Sequence, residues 1–289
     1  MWHDIREFLE LIKFEHTLFA LPFAYVGMVL AADGWPTWRQ AIWITIAMAA
    51  ARTLAMAANR LADRTIDAQN PRTVGRPLAS GRVSPRAAWV GAGVAASVLV
   101  LAAWRLGPVP LALLPCALVV LVGYSFTKRV TWLSHYILGF VDGLAPAGAW
   151  VAVRGSLFRA DDAPAWLLLA ALTFWIGGFD IIYACQDAGF DRKHGLHAIP
   201  ARFGTAAALR ISEASHVVAM GFLIWLGFVT GMAWPYAVGL LAVAFLLMAE
   251  HLLVSPKDLT RLNVAFFQVN SAISVCLFTS VAAALSVGR

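Results

Sequence analysis

The chain has 289 residues, 61% of them hydrophobic and 13% charged, with a mean hydropathy of +0.74 and a formal net charge of +6. A soluble domain carries about 25% charged and under about 50% apolar residues, so composition excludes that class and indicates an integral membrane protein. The apolar runs are continuous rather than alternating, which excludes a β-barrel.

The first stretch, "MWHDIREFLELIKFEH", mixes both signs of charge and has no short apolar core before a small-residue cleavage site. It therefore reads as an amphipathic lead-in helix and not as a signal peptide. Nine apolar runs follow, at 16–32, 40–58, 86–104, 108–126, 132–153, 164–182, 210–231, 233–254 and 264–286. Each is long enough to cross a hydrocarbon core of about 30 Å. The expected fold class is all-α, a polytopic membrane protein with nine transmembrane helices. No linker or low-complexity stretch divides it, so residues 1–289 are expected to form one domain. Cys116, Cys185 and Cys276 fall in or beside separate spans without CxxC pairing, and are expected to be apolar filler.

With nine spans, the N-terminus and the even-numbered connections share one side, and that side holds 17 of the 22 lysines and arginines when Arg52, within the second run, is counted with it. The positive-inside rule makes it cytoplasmic. The basic excess is thus explained by topology and by an anionic substrate, with no need for nucleic acid. No obligate protein partner is indicated.

Two polar islands face that side. The second span ends in "NRLADRTIDAQNPRTVGRPLASGR", residues 59–82, and the sixth in "DIIYACQDAGFDRKHGLHAIPARFG", residues 180–204. On a helix, Asn59, Asp63 and Asp67 lie at i, i+4 and i+8 and form one stripe. Asp187 and Asp191 are again four apart, and Asp180, seven before Asp187, returns to within about 20° of the same face. Tyr183 lies off that stripe. A single acid at a helix end can merely mark the membrane boundary. Five carboxylates and an amide gathered at two helix ends call for a cation, since uncompensated charge there is costly. All-oxygen ligands favour a hard cation, Mg2+ first, which is held by one or two carboxylates together with substrate phosphate oxygens. Arg72, Arg76, Lys128, Arg192 and Lys193 can meet the same phosphate group.

These residues resemble the UbiA superfamily of intramembrane aromatic prenyltransferases. Its first motif, NDxxDxxxD with a following RP-L-x-S-G loop, corresponds to N-R-L-A-D-R-T-I-D and "NPRTVGRPLASGR". Its second, D-x-x-Y-A-x-x-D-x-x-x-D, corresponds to "DIIYACQDAGFD". Its Y-x-x-x-K element corresponds to Tyr124 and Lys128 in "YSFTKR". The resemblance runs from about Lys13 to the ninth span. One departure is Arg60, where the family commonly has Asp, so that the first motif offers one carboxylate fewer.

The resemblance implies nine helices around a central cavity. It further implies Mg2+-dependent transfer of a polyprenyl group from a polyprenyl diphosphate to an aromatic quinone precursor, inside a bacterial-type inner membrane. The implied metal ligands are Asn59, Asp63, Asp67, Asp180, Asp187 and Asp191. Asp187 or Asp191 would stabilise the allylic cation or take the ring proton, and Tyr124 with Lys128 would contact the diphosphate. Arg72, Arg76 and Lys193 would bind the donor, and Arg129 the acceptor's carboxylate. Lys13, His16 and Tyr183 would line the substrate pocket, with Glu15 placed to bond an acceptor hydroxyl. Phe19, Phe23, Tyr136 and Phe179 are further aromatics near the cytoplasmic half. "DIIYACQD" resembles 4-hydroxybenzoate enzymes. "KFEHTLFALPFA", "NR" and "NPRT" resemble a subgroup acting on a dihydroxynaphthoate for menaquinone, and both acceptors stay open.

In the last span, Asn263, Asn270 and Ser274 fall at helical spacing and are expected to form an interhelical polar seam. A CDP-alcohol phosphotransferase would need a D-G-x-x-A-R run, which this chain lacks. A secondary transporter would carry its acids near the midplane, not at one end of the helices beside basic residues.

Overall fold

The computed structural model describes residues 2–288; the side chains of residues 2–5 and 14–20 lie outside the described residues, and with them the expected roles of Glu15, His16 and Phe19. Among the described residues the structure is helical, with one isolated β-bridge between Ser255 and Asp258. A short helix α1 (Trp2–Leu11) precedes α2 (Phe14–Ala32), α3 (Trp38–Asp67), α4 (Pro85–Leu106), α5 (Pro108–Gly123) and α6 (Ser134–Arg154). Then come α7 (Ala163–Ala184), two short helices α8 (Ala188–Lys193) and α9 (Ile199–Phe203), and α10 (Thr205–Thr230), α11 (Trp234–Leu252) and α12 (Asn270–Val287). Among the described residues eight segments are long and apolar enough to cross a membrane, and Leu21–Ala32 of α2 adds a further apolar stretch. The polytopic all-helical architecture is therefore as expected, while the first of the nine expected runs, 16–32, lies partly outside the described residues.

Local chemistry sets the helix ends. Thr37 caps α3, its hydroxyl accepting from the Gln40 N–H while the Gln40 side chain accepts from the Thr37 N–H. Ser84 caps α4 in the same sense, with Pro85 in the first turn, where its missing N–H is harmless. With 30 residues, α3 is about 45 Å long at 1.5 Å per residue. That exceeds a hydrocarbon core of about 30 Å, so its last turns, which carry Asn59, Asp63 and Asp67, can emerge among polar groups.

The largest apolar core joins α2, α6, α7, α10, α11 and α12. Small residues bring these helices close: a Cβ on Gly139 of α6 would strike the Thr173 carbonyl of α7, and one on Gly27 of α2 would strike Pro146 of α6. Within a membrane such close backbone approach supplies packing that the hydrophobic effect does not. Of the expected polar seam, Asn270 and Ser274 are fully buried, whereas Asn263 is exposed and takes no part.

Candidate active site

A cavity of about 430 Å³ opens among the ends of α3, α6 and α7, the segment Tyr124–Arg129, and the residues leading into α12. Its walls carry the two acidic stripes. Asn59, Asp63 and Asp67 come from the last turns of α3, on one face as their spacing predicts. The opposite wall is less regular than expected. Asp180 lies in the last turn of α7, Asp187 in a 3₁₀ turn (Cys185–Asp187), and Asp191 on α8. All three line the cavity nonetheless, and so does Tyr183, which is still on α7 and about 60° around the helix from Asp180.

The chain's own cations meet much of this negative charge. Asp63, 2% exposed, receives Lys128 Nζ at 2.9 Å on one oxygen and Arg129 Nη2 at 2.9 Å on the other. Arg76 Nη1 lies 2.8 Å from both oxygens of Asp67, and Arg60 stands 4.0 Å away. Arg72 grips Asp187 with Nε at 2.8 Å and with Nη2, and donates from Nη1 to the Tyr183 hydroxyl at 3.0 Å. Burial opposes the charge on Arg72, and the hydrogen bond to Asp187 together with the electrostatic pull of Tyr183, Asp187 and Asp67 outweighs it, so its pKa lies above the ordinary value. Asn70 fixes this loop: its Nδ2 donates to Asp187 at 3.0 Å and its Oδ1 accepts from the Arg72 N–H at 2.9 Å.

Lys13 also lines the cavity, as does Tyr124. Arg129 does not; its guanidinium turns back to the Ala62 carbonyl at 2.6 Å and to Asp63. Lys128 and Arg129 thus converge on Asp63 from the same 3₁₀ turn, and of the two only Lys128 lines the cavity. Lys193 is exposed and outside the lining, and Arg192 bonds the Ala201 carbonyl. Tyr136 packs against Gly177 and bonds Ser215, outside the lining.

Several lining residues went unrecognised in the sequence. Arg52 of α3 and Asp142 of α6 form an ion pair at 3.2 Å, in mid-span and deeper than Asn59 by about 10 Å of helix rise. The signal was present, since a lone ionisable residue within a span is a site candidate by default. The Arg52 Nε and the Ser125 hydroxyl are buried without a hydrogen-bond partner. His135 lies 2.7 Å by Nδ1 from Asp180, and its Nε2 accepts from the Ile199 N–H at 3.2 Å. That second bond makes Nδ1 the protonated nitrogen and Asp180 its acceptor. Beyond Arg52 and Asp142 lies a second cavity of about 330 Å³, almost wholly apolar, among α3, α5 and α6.

Aromatic rings complete the walls. Phe179, Tyr183 and Phe266 pack together, Phe23 meets Trp175, and all five line the cavity.

For Mg2+, the residues present are suitable in kind: carboxylates and one amide on facing walls, without thiols. Among the described residues no three acidic, His or Cys groups are already close enough together to hold a metal ion. A cation held by Asp63, Asp67 or Asp187 would compete with the arginine and lysine groups now paired with them.

Comparisons with known proteins agree with this architecture. The model of the UbiA prenyltransferase family matches residues 20–272. A 4-hydroxybenzoate octaprenyltransferase of Cupriavidus necator is 33% identical over 271 residues, covering 90% of each chain. One from Marinomonas sp. is 28% identical over 287 residues, covering 97% of this chain and 98% of its own. Among solved structures, the apo UbiA homologue of Aeropyrum pernix K1 superposes with a TM-score of 0.85 at 34% identity, covering 93% of this chain and 98% of its own. A UbiA homologue of Archaeoglobus fulgidus bound to GPP and Mg2+ shares the fold, with a TM-score of 0.67 at 17% identity over 96% of this chain and 99% of its own.

Proposed function

The chain belongs to the UbiA prenyltransferase family, and we propose that it transfers a polyprenyl group from polyprenyl diphosphate to the ring of 4-hydroxybenzoate. The observation that carries the reading is the cavity itself: two acidic walls from distant parts of the chain face each other, interleaved with Arg72, Arg76 and Lys128 and backed by aromatic rings. That combination suits a diphosphate head attached to an apolar chain.

The diphosphate takes over Arg72, Arg76 and Lys128 from their carboxylate partners, which frees Asp67, Asp187 and the Oδ2 oxygen of Asp63 on the same cavity surface, while Arg129 keeps the other oxygen of Asp63. Asn59, Asp63, Asp67, Asp180, Asp187 and Asp191 are the residues that would hold Mg2+. When bound there, the metal supplies Lewis-acid stabilisation of the charge on the departing diphosphate. Lys128, Arg72 and Arg76 neutralise the same leaving group from the protein side. The allylic C–O bond breaks with its electron pair going to diphosphate. Phe179, Tyr183, Phe266 and Trp175 exclude water and offer ring faces to the allylic cation. A π pair of the acceptor ring forms the new C–C bond, and the proton on that carbon passes to the Asp191 carboxylate, which makes no side-chain hydrogen bond among the described residues.

The acceptor's carboxylate belongs against Arg52. It is a cavity-lining guanidinium with an unpartnered buried N–H, whereas Arg129 is spent on Asp63 and Ala62. We place the polar mouth on the cytoplasmic side of a bacterial-type inner membrane, a placement supported by the excess of basic residues in the connections on that side. Residues 1–289 act as one domain.

The test compares acceptors. Purified protein with Mg2+ and labelled polyprenyl diphosphate is given 4-hydroxybenzoate or 1,4-dihydroxy-6-naphthoate in turn. The proposal expects the higher kcat/KM with 4-hydroxybenzoate; preference for the naphthoate reassigns the acceptor while keeping the chemistry.

A further inference from the structure

The last membrane segment does not begin as a regular α-helix. Residues Val264–Val269 form a π-turn, and two consecutive rings on it, Phe266 and Phe267, both line the cavity. Phe266 lies against Tyr183 with ring centroids 4.2 Å apart and edge-on to Phe179 at 5.2 Å. A π-turn is rare and gives up regular i→i+4 backbone bonds, so something must stabilise it.

Here the support is a side chain from the first turn of α12. Asn270 is fully buried, and its Nδ2 donates to the carbonyls of Phe266 at 3.1 Å and Ala265 at 3.2 Å, both within the π-turn. The same amide donates to Glu250 Oε1 of α11 at 2.8 Å. Glu250 is also fully buried, and the nearest basic group is His216 of α10 at 3.9 Å. His216 in turn bonds His251 at 2.8 Å and lies 3.2 Å from the carbonyl of Trp175, another cavity-lining residue. A wholly buried carboxylate between transmembrane helices is expensive, and none of these groups touches the reacting atoms. Their shared effect is to fix backbone directly behind the aromatic wall.

We propose that Asn270 and Glu250 are positioning residues for this reaction. Glu250 orients the Asn270 amide, Asn270 holds the π-turn, and the π-turn presents Phe266 to the allylic cation as part of a wall that keeps water out. The inference rests on the prenyl-transfer reading above. Its signature is partition of the cation: when the wall loosens, water competes with the aromatic ring. Polyprenyl diphosphate and water then give polyprenol, diphosphate and a proton in place of prenylated acceptor.

The experiment measures polyprenol and prenylated acceptor made per diphosphate released, for full-length protein in detergent with Mg2+, polyprenyl diphosphate and 4-hydroxybenzoate. Asn270→Ala and Phe266→Ala should each raise the polyprenol fraction about tenfold, corresponding to about 1.4 kcal/mol. The double variant should partition like either single one. Glu250→Gln, which retains an acceptor for the amide, should partition as wild type, and Glu250→Leu should resemble Asn270→Ala. A merely structural role would lower the amount of active protein and leave the partition unchanged. If Asn270→Ala does not accumulate, Asn270→Ser, which retains one donor, carries the same test. Wild-type partition in the Asn270 variants, or additive effects in the double variant, overturns the positioning role. A wild-type protein that makes neither product overturns the prenyl-transfer reading instead.

Discussion

Replacing Arg52 by Gln separates acceptor recognition from donor chemistry. In the structure Arg52 Nη1 holds Asp142 at 3.2 Å while its Nε remains buried without a partner. Glutamine keeps one N–H for the half-buried Asp142, so that its carboxylate is not left without a donor. What it removes is a charged donor for the acceptor's carboxylate. Hydrogen bonds to charged groups contribute about 1.5–3 kcal/mol, and about 1.4 kcal/mol is a factor of ten, so the acceptor KM should rise about 10- to 150-fold. The donor KM should change little, because the diphosphate lies nearer the mouth with Arg72, Arg76 and Lys128. Initial rates with labelled donor, varying each substrate at saturation of the other, give both constants. An uncharged analogue of the acceptor should be used equally well by both proteins. A raised donor KM with an unchanged acceptor KM would refute the placement.

Other expectations follow from the same geometry. Asp63→Ala and Asp187→Ala should each lower kcat by about a hundredfold or more, the scale of losing one electrostatic group at a reacting centre. Both proteins should still insert and extract, as judged by size-exclusion chromatography; retention of most activity would remove the acidic walls from the mechanism. Arg72→Lys keeps the charge but loses the planar two-pronged donor that the proposal turns from Asp187 to the diphosphate, so the donor KM should rise about tenfold, measured by varying donor alone. Removal of divalent metal with EDTA should abolish turnover, and added Mg2+ should restore it; undiminished rates in EDTA would contradict the all-oxygen donor reading. His135→Asn, whose amide can donate to Asp180 in place of Nδ1–H, should keep more activity than His135→Ala, and equal rates would deny His135 that orienting role.

The sequence revealed those features that repeat with a fixed period. Asn59, Asp63 and Asp67 obey the i, i+4, i+8 rule because α3 continues unbroken to Asp67. The second wall obeys it only in part, because α7 ends at Ala184 and a 3₁₀ turn, Cys185–Asp187, redirects the chain; Tyr183 reaches the cavity from α7 itself, three residues after Asp180. The Arg52–Asp142 pair joins residues 90 apart on two helices, a relation that periodicity within either helix cannot express. Arg129 was expected to meet the acceptor because it neighbours Lys128, but its guanidinium is turned away from the cavity by Asp63 and the Ala62 carbonyl, contacts the sequence does not display. The seam on the last span was legible at Asn270 and Ser274, but its partner Glu250 sits on another helix, and the π-turn it supports has no simple sequence period.

The central claim is that this cavity breaks a prenyl diphosphate and joins the prenyl group to an aromatic ring. The most direct test incubates purified protein with Mg2+, 4-hydroxybenzoate and polyprenyl diphosphate, then quantifies diphosphate and C-prenylated product by mass spectrometry. Equal amounts of the two, both absent in the Asp63→Ala protein, are expected. Absence of C-prenylated product with 4-hydroxybenzoate and with the naphthoate alike would contradict the account.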